Sequence, residues 1–515
     1  QRVALSATVA DPAGVVTRYL TPAVETAPAL PPVVVEAAGA RRLDAELQPM
    51  HGFGDLVQAL ALRAPSGQPG HAFVRKSLVF CNTRNEVEQI ATHLRTHPPY
   101  AAEIFVHYSN LDPALRREVE ARFAEAGVAI CVSSSTLELG IDIGSIDEVA
   151  LVGPPPTLPS FLQRIGRGGR RRAAMRVLCL ARSPQEELHF QALLALAQED
   201  AAVMRHAAAF APTYHFRPSV LVQQLFSLLK QSPTGAVRLA DLRRVSPVAM
   251  EDETLRRLMG HLTRLGYLQP GRPGEWRPGP TLDPLLDQHE IYSNIGADPL
   301  ALLVVDAYSG RTLAHTGRLH MEGETLRLGG RTWEVVWRDR YRMAVRPVHP
   351  TVGDEQLRFQ AAPFAMPLDV AQAIARRLSV ARGRIVLVHD ERCVRLFHFW
   401  GDLYGLLLAE LLQTYGQRRD PSYVAGAANG LCITLPAALP TLPAWEAAEA
   451  HRELRRLLPR VEPFLGLGRF HLLLPPELAE AAALAHCDLT RFEQLYRAAT
   501  LIDAPPALAA QLRSV

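Results

Sequence analysis

The run Gln163-Arg164-Ile165-Gly166-Arg167-Gly168-Gly169-Arg170 decides how this sequence is read. Its three arginines are spaced three apart on a glycine-rich turn. Glycine lets a backbone approach a phosphate, and arginines three apart project from one side of a helical turn. Forked guanidinium groups match phosphate oxygens and can balance the charge that develops as a γ-phosphoryl group departs. Alone, such a cluster is equally a generic basic patch. Upstream, however, the apolar run Ala129–Val132 leads straight into Ser133-Ser134-Ser135-Thr136-Leu137-Glu138-Leu139-Gly140-Ile141-Asp142. Hydroxyls past a strand end, then a glycine and an aspartate, suit a loop at the carboxyl edge of a parallel sheet, where α/β folds bind ligands. Further upstream, Leu78-Val79-Phe80-Cys81 ends in Asn82-Thr83-Arg84, and Ile104–His107 ends in Tyr108-Ser109-Asn110.

The intervening pattern supports that placement. Strands are predicted at Ser77–Cys81, Ile104–His107, Ala129–Ser133, Glu148–Val152 and Arg176–Ala181, with amphipathic helices over Asn85–Arg95 and Pro113–Ala126 between them. Alternating β and α at this spacing reads as a parallel sheet covered by helices. Arg2–Ser6 reads as one more strand, delivering Ser6-Ala7-Thr8, and a helix is expected to open at Asp11-Pro12. The Pro-, Ala- and Gly-rich stretch 21–71 reads as a connector despite the apolar run Val33–Val35.

Beyond Phe216 the pattern changes. Helices are predicted over Ser219–Gln231 and Glu251–Gly266; the second carries Leu255, Leu258, Met259, Leu262 and Leu265 on one face and Arg257, His261 and Arg264 on the other. A Gly/Pro-rich loop with Trp276 follows, so a winged helix-turn-helix competes with a small helical packing domain. Residues 300–350 switch to period-two alternation broken by Ser309-Gly310, Glu322-Gly323 and Gly329-Gly330, the pattern of a β-meander or small barrel. Residues 360–515 alternate helices with short β runs at Arg384–His389, Gly430–Thr434 and Phe470–Leu474.

The order SAT, LVFCNTR, STLELGID, QRIGRGGR resembles motifs III to VI of superfamily 2 helicases. Gln163 and LELGID favour the Lhr-like (large helicase-related) group over DEAD-box proteins. Arg217-Pro218-Ser219-Val220-Leu221-Val222-Gln223-Gln224 and Tyr292-Ser293-Asn294-Ile295 also resemble the Lhr-like core. The resemblance implies an α/β RecA-like fold (the second lobe of a P-loop NTPase), then a winged helix and an α+β C-terminal domain with a small β-barrel or meander. The expected divisions are a remnant of the first RecA-like domain at 1–20, the connector at 21–71, the second RecA-like domain at 72–205, a winged helix at 206–290 and the C-terminal core domain at 291–515. It further implies an ATP-dependent helicase tracking on single-stranded DNA, with a role in DNA repair; an RNA helicase or a catalytically inactive nucleic-acid-binding or interaction protein are the alternatives.

On the same resemblance, Arg167 and Arg170 are arginine fingers for the γ-phosphate. Gln163, Gly140 and Asp142 meet ATP, and Thr83, Arg84, Ser109 and Thr136 hold a sugar-phosphate backbone. Arg257 and Arg264 add nucleic-acid contacts from the winged helix, and Ser6 and Thr8 couple nucleotide state to strand grip. Trp276, Trp333 or Trp337 could stack on bases, with core packing as the competing role for Trp333.

No GxxxxGK[ST] loop occurs, and no DExH or DExD box follows a strand in the right place. ATP and Mg²⁺ would therefore need a first RecA-like lobe in cis that supplies the Mg²⁺ ligands, and the chain alone is expected to be inactive. Its start at Gln1 suggests a C-terminal portion of a longer protein.

Composition sets the outer bounds. The 515 residues suggest about three to five domains. Lys+Arg number 55 against 52 Asp+Glu, for a net charge of +3, so polyanion contacts must come from local groups. Among 18 histidines and six scattered cysteines there is no CxxC pair, so neither a metal site nor a disulfide framework is indicated. The stretch Leu403–Leu412 is too short to cross a bilayer, so no membrane partner is expected and a reducing, cytoplasmic setting fits best.

Overall fold

The computed structural model describes residues 12–16, 33–35, 42–61, 76–96, 103–138, 143–168, 174–198, 215–246, 250–287, 290–292, 294, 302–316, 322–338, 342–348, 366–437, 441–462 and 465–514. Its first unit is a six-stranded, all-parallel sheet in the order β1-β6-β5-β2-β4-β3. The strands are β1 (Arg42–Pro49), β2 (Lys76–Cys81), β3 (Ile104–His107), β4 (Ala129–Ser133), β5 (Glu148–Val152) and β6 (Ala174–Ala181). Every residue of β2 to β5 is buried, as near-continuous apolar runs covered on both faces require.

The edge strand β1 corrects the connector expectation for 21–71. Arg42–Pro49 pairs in parallel with β6 along its full length, and helix Phe53–Ala61 follows. Leu43, Ala45 and Leu47 alternate with Arg42, Asp44 and Glu46, and the apolar set packs on the sheet core. That period-two signal is short and lies in Pro/Ala-rich surroundings, which hid it.

Next come helix Pro218–Gln231, β7 (Val237–Arg238), helices Leu239–Val245 and Asp252–Arg264, β8 (Leu268–Pro270) and β9 (Glu275–Pro278). The strands form a small antiparallel sheet ordered β7-β9-β8, and Leu255, Leu258, Met259 and Leu262 fill the core beneath it.

The segment 302–348 forms an open five-stranded sheet from β10 (Leu302–Asp306), β11 (Thr312–Thr316), β12 (Thr325–Leu328), β13 (Arg331–Arg338) and β14 (Arg342–Val348). Its order, β11-β10-β14-β13-β12, places β10 parallel to β14, so it is not a simple meander. Its inner face shares one core with the first sheet: Val304, Leu313, Trp333, Val335 and Met343 pack with Val79, Val106 and Ile90. Burial of Trp333, whose indole Nε1–H donates to Leu328 O at 2.9 Å, rules out base stacking by that residue.

The last unit is a four-stranded sheet ordered β17-β16-β15-β18. It comprises β15 (Arg384–His389), β16 (Val394–Phe397), β17 (Cys432–Leu435) and β18 (Thr500–Asp503), flanked by helices including Leu368–Arg377 and Gly401–Arg419. The β run expected at Phe470–Leu474 is instead a 3₁₀ turn, Arg469–Leu473, with Phe470 and Leu474 buried against helix Pro218–Gln231. Helix Leu368–Arg377 joins this unit to the first sheet's core, with Arg377 Nε donating to Gln191 Oε1 at 2.9 Å. No described helix is long and apolar enough to cross a membrane. All six cysteines are free, and burial pushes Cys81 and Cys131 well above the usual thiol range.

Candidate functional site

Strand direction brings the carboxyl ends of β2, β3, β4 and β5 to one edge, so the segments after them face the same side. Two side-chain networks knit that edge. In the first, Arg164, 1% exposed on helix Leu158–Ile165, donates from Nε to Glu138 Oε1 at 2.7 Å and from Nη1 to Asn82 Oδ1 at 2.8 Å. Its guanidinium also lies 5.4 Å from the Phe80 ring centroid. Ser160 Oγ donates to the same Glu138 oxygen at 2.9 Å, while Asn82 Nδ2 donates to Pro154 O at 2.8 Å. One arginine thus ties together the segments after β2, β4 and β5.

The second network starts at Thr83. Its hydroxyl accepts from Glu86 N at 3.2 Å, and Glu86 Oε2 accepts from Thr83 N at 3.0 Å and Asn82 N at 3.1 Å, a capping box at the start of helix Arg84–Thr96. Arg182, just past β6, bridges Glu86 and Glu186. Gly153 (φ +73°) leaves room for it: a Cβ there would sit 2.5 Å from Arg182 Nη2.

Against this frame the expected site residues separate. Arg84 and Ser109 are exposed at the edge; the Arg84 guanidinium centre lies 5.8 Å from the Tyr108 ring centroid. Thr83 and Thr136 are half-buried and already bonded: Thr136 Oγ1 lies 2.9 Å from His107 Nδ1, whose Nε2 lies 2.8 Å from Glu120 Oε1. Burial lowers the His107 pKa, against the opposing pull of Glu120. Gln163 and Arg167 are half-buried at the end of helix Leu158–Ile165, and Arg167 Nη2 donates to Glu138 O. Gly168, next to Arg167, is buried, and a Cβ there would come within 3.1 Å of Val149 Cγ2.

Arg257 and Arg264 are exposed on helix Asp252–Arg264, away from the sheet edge in sequence and fold, and Arg257 pairs with Glu253 at 3.2 Å. Ser6, Thr8, Gly140, Asp142 and Arg170 lie outside the described residues. Arg164, which the sequence places in one basic cluster with Arg167 and Arg170, is a buried tie. Glu138, Glu86 and Arg182 went unnoticed by sequence reasoning, although Thr83-x-x-Glu86 is a readable capping-box signal.

The other resembling motifs meet at a second junction. Ser219 Oγ donates to Leu467 O and accepts from Asn294 Nδ2 at 2.8 Å; Arg217 Nε donates to Gly466 O at 2.9 Å, and Phe470 N donates to Asn294 Oδ1 at 3.2 Å. These residues fasten helix Pro218–Gln231 to the C-terminal unit. Among the described residues, no group of His, Cys, Asp or Glu could hold a metal ion.

A parallel sheet whose strand ends gather these motifs defines a RecA-like helicase lobe, and residues 62–172 match the helicase conserved C-terminal domain. An ATP-dependent helicase Lhr-Core protein 2 of Thermococcus barophilus is 48% identical over 98 residues, covering 19% of this chain and 11% of that protein. An ATP-dependent helicase Lhr-Core of Methanocaldococcus jannaschii is 42% identical over 97 residues, again 19% of this chain and 11% of that one. Over this stretch the chain is similar to the Lhr-like helicases of superfamily 2. The aligned stretch thus spans about a tenth of the length of these curated relatives. The solved Mycobacterium smegmatis helicase Lhr, bound to ssDNA and AMP-PNP, overlaps 92% of this chain and 71% of its own at 16% identity, with a TM-score of 0.48.

Proposed function

We propose that this chain supplies the second motor lobe and the accessory domains of an ATP-dependent translocase that tracks on single-stranded DNA in repair. The observation carrying this reading is the Asn82–Arg164–Glu138 tie, which makes the strand-contacting and nucleotide-facing segments one rigid edge. Catalysis by positioned guanidinium groups requires such fixing, since small displacements weaken charge stabilisation steeply.

ATP, when bound against a first lobe, supplies the free energy through loss of its γ-phosphoryl group. The donor set at the end of helix Leu158–Ile165 suits it: Arg167 is held by the Glu138 carbonyl beside half-buried Gln163. Arg170 would join Arg167 at the γ-phosphate, and Gly140 and Asp142 would meet the rest of the nucleotide. Ser6 and Thr8 would couple that state to strand grip. The Mg²⁺ ligands would come from the first lobe, and the chain alone would be inactive.

Arg84, Ser109, Thr83 and Thr136 would hold the backbone of one strand. The order helix, strand, helix, helix, strand, strand over 218–278 supports a winged helix. Its exposed Arg257 and Arg264 would meet a single-stranded or forked substrate, because a surface ion pair such as Arg257–Glu253 is worth only about 0.3–0.5 kcal/mol and yields to phosphate. Trp337, 43% exposed on the outer sheet 302–348, remains available for stacking. The test is ATP turnover of the protein joined to its first lobe, with and without oligothymidylate. Turnover stimulated by the single strand supports the reading; ATP turnover indifferent to it, with no binding, favours an interaction protein.

A further inference from the structure

Glu88 is 2% exposed on helix Arg84–Thr96, one turn beyond Arg84. Its carboxylate receives three donors from two other parts of the molecule. Tyr108 Oη donates from the segment after β3, Gly329 N donates to Oε1 at 2.7 Å, and Gly330 N to Oε2 at 2.6 Å. Both glycines have positive φ, +63° and +69°, forming the tight β12–β13 hairpin turn of the outer sheet. Arg95 completes the clasp from the same helix, donating to Gly329 O and, at 2.8 Å, to Ile104 O. A carboxylate is costly to bury unless donors compensate it, so this arrangement specifies one docking geometry.

The clasp lies directly beneath the strand-gripping groups. The ring of Tyr108, 1% exposed, is the floor under the Arg84 guanidinium, and exposed Ser109 is the next residue. We propose that Glu88 is a positioning residue through which the 302–348 sheet, by its Gly329-Gly330 turn, sets the placement of Arg84 and Ser109 for nucleic-acid binding. The sheet and the second motor lobe then move as one body, and the outer sheet bears on strand grip from a distance. This rests on the strand-tracking reading above.

The test uses the full-length protein and a fluorescein-labelled oligothymidylate, read by anisotropy. Three variants attack the clasp from different sides: Glu88→Gln, Tyr108→Phe, which removes one oxygen, and Gly330→Ala, whose Cβ would lie 2.1 Å from Arg95 Nη1 at φ +69°. Each is expected to raise Kd about fivefold, and each combined with Arg84→Ala to add little beyond Arg84→Ala alone, the non-additivity of coupled neighbours. A merely structural clasp would leave Kd unchanged or give effects that multiply with Arg84→Ala; either result overturns the proposal. Should Glu88→Gln not fold, Tyr108→Phe and Gly330→Ala still decide it. A wild-type protein that ignores the oligonucleotide refutes the strand-tracking reading instead.

Discussion

Replacing Arg164 by Ala removes the group that joins three strand ends. Two charge-assisted or amide hydrogen bonds, to Glu138 at 2.7 Å and Asn82 at 2.8 Å, disappear together with the packing on Phe80. Glu138, its side chain only 12% exposed, keeps Ser160 as a donor but loses its cation. Breaking a buried pair from one side costs about 3–5 kcal/mol, because the remaining charge is left uncompensated. At about 1.4 kcal/mol per decade, that raises the local opening equilibrium by roughly two to three and a half powers of ten. Hydrogen exchange read by mass spectrometry on peptides covering β2, β4 and helix Leu158–Ile165 measures it directly. Protection there should fall by that factor, while peptides from the four-stranded sheet β17-β16-β15-β18 hold theirs. An Arg164→Met/Glu138→Leu double variant should recover most of the loss, since an apolar pair of similar volume can replace a buried ion pair. Unchanged protection in Arg164→Ala would refute the keystone role.

Acid should weaken the fold through His189 and His398, which burial lowers to about 4 and about 3. Both bind fewer protons folded than unfolded, so their contribution is whole above pH 6.5 and falls as pH drops toward the folded values. Each costs about 2 kcal/mol at pH 5 relative to pH 8, and the urea midpoint should fall accordingly, less so in His189→Leu. Thr157→Ala, which removes the cap accepting from Ser160 N at 3.2 Å, should cost about 1 kcal/mol in thermal unfolding. Gly153→Ala should displace Arg182 from Glu86 and Glu186 and, with its φ of +73°, cost about 2 kcal/mol by the same assay. Single-strand affinity should fall steeply with salt, and Arg84→Ala should flatten the log–log slope by about 0.7, the share of one phosphate contact.

Much of the first sheet was legible because parallel strands buried on both faces leave continuous apolar runs, as in Leu78–Cys81 and Glu148–Val152. Strand β1 was not, because an edge strand needs only alternate apolar residues and Leu43, Ala45 and Leu47 are few. Phe470–Leu474 misled for the converse reason: a short apolar run carries no period of its own, and packing on helix Pro218–Gln231 made it a 3₁₀ turn. Motif spacing places Arg84, Ser109, Gln163 and Arg167 after strand ends of one sheet, but it could not sort exposed guanidinium groups from buried ones. Only three-dimensional placement puts Glu138 and Asn82 against Arg164. Nor does any local pattern announce Glu88, whose partners Gly329 and Gly330 lie in a different sheet.

The central claim, that this lobe brings arginines to the departing phosphoryl group, is tested by single-turnover ATP hydrolysis of the protein joined to its first lobe, comparing wild type with Arg167→Ala and Arg170→Ala. A supplied arginine finger is worth about 10³–10⁵ in rate, so each variant should lose at least ~10²-fold in turnover while still binding a non-hydrolysable ATP analogue. Turnover within about twofold of wild type in both variants would contradict it.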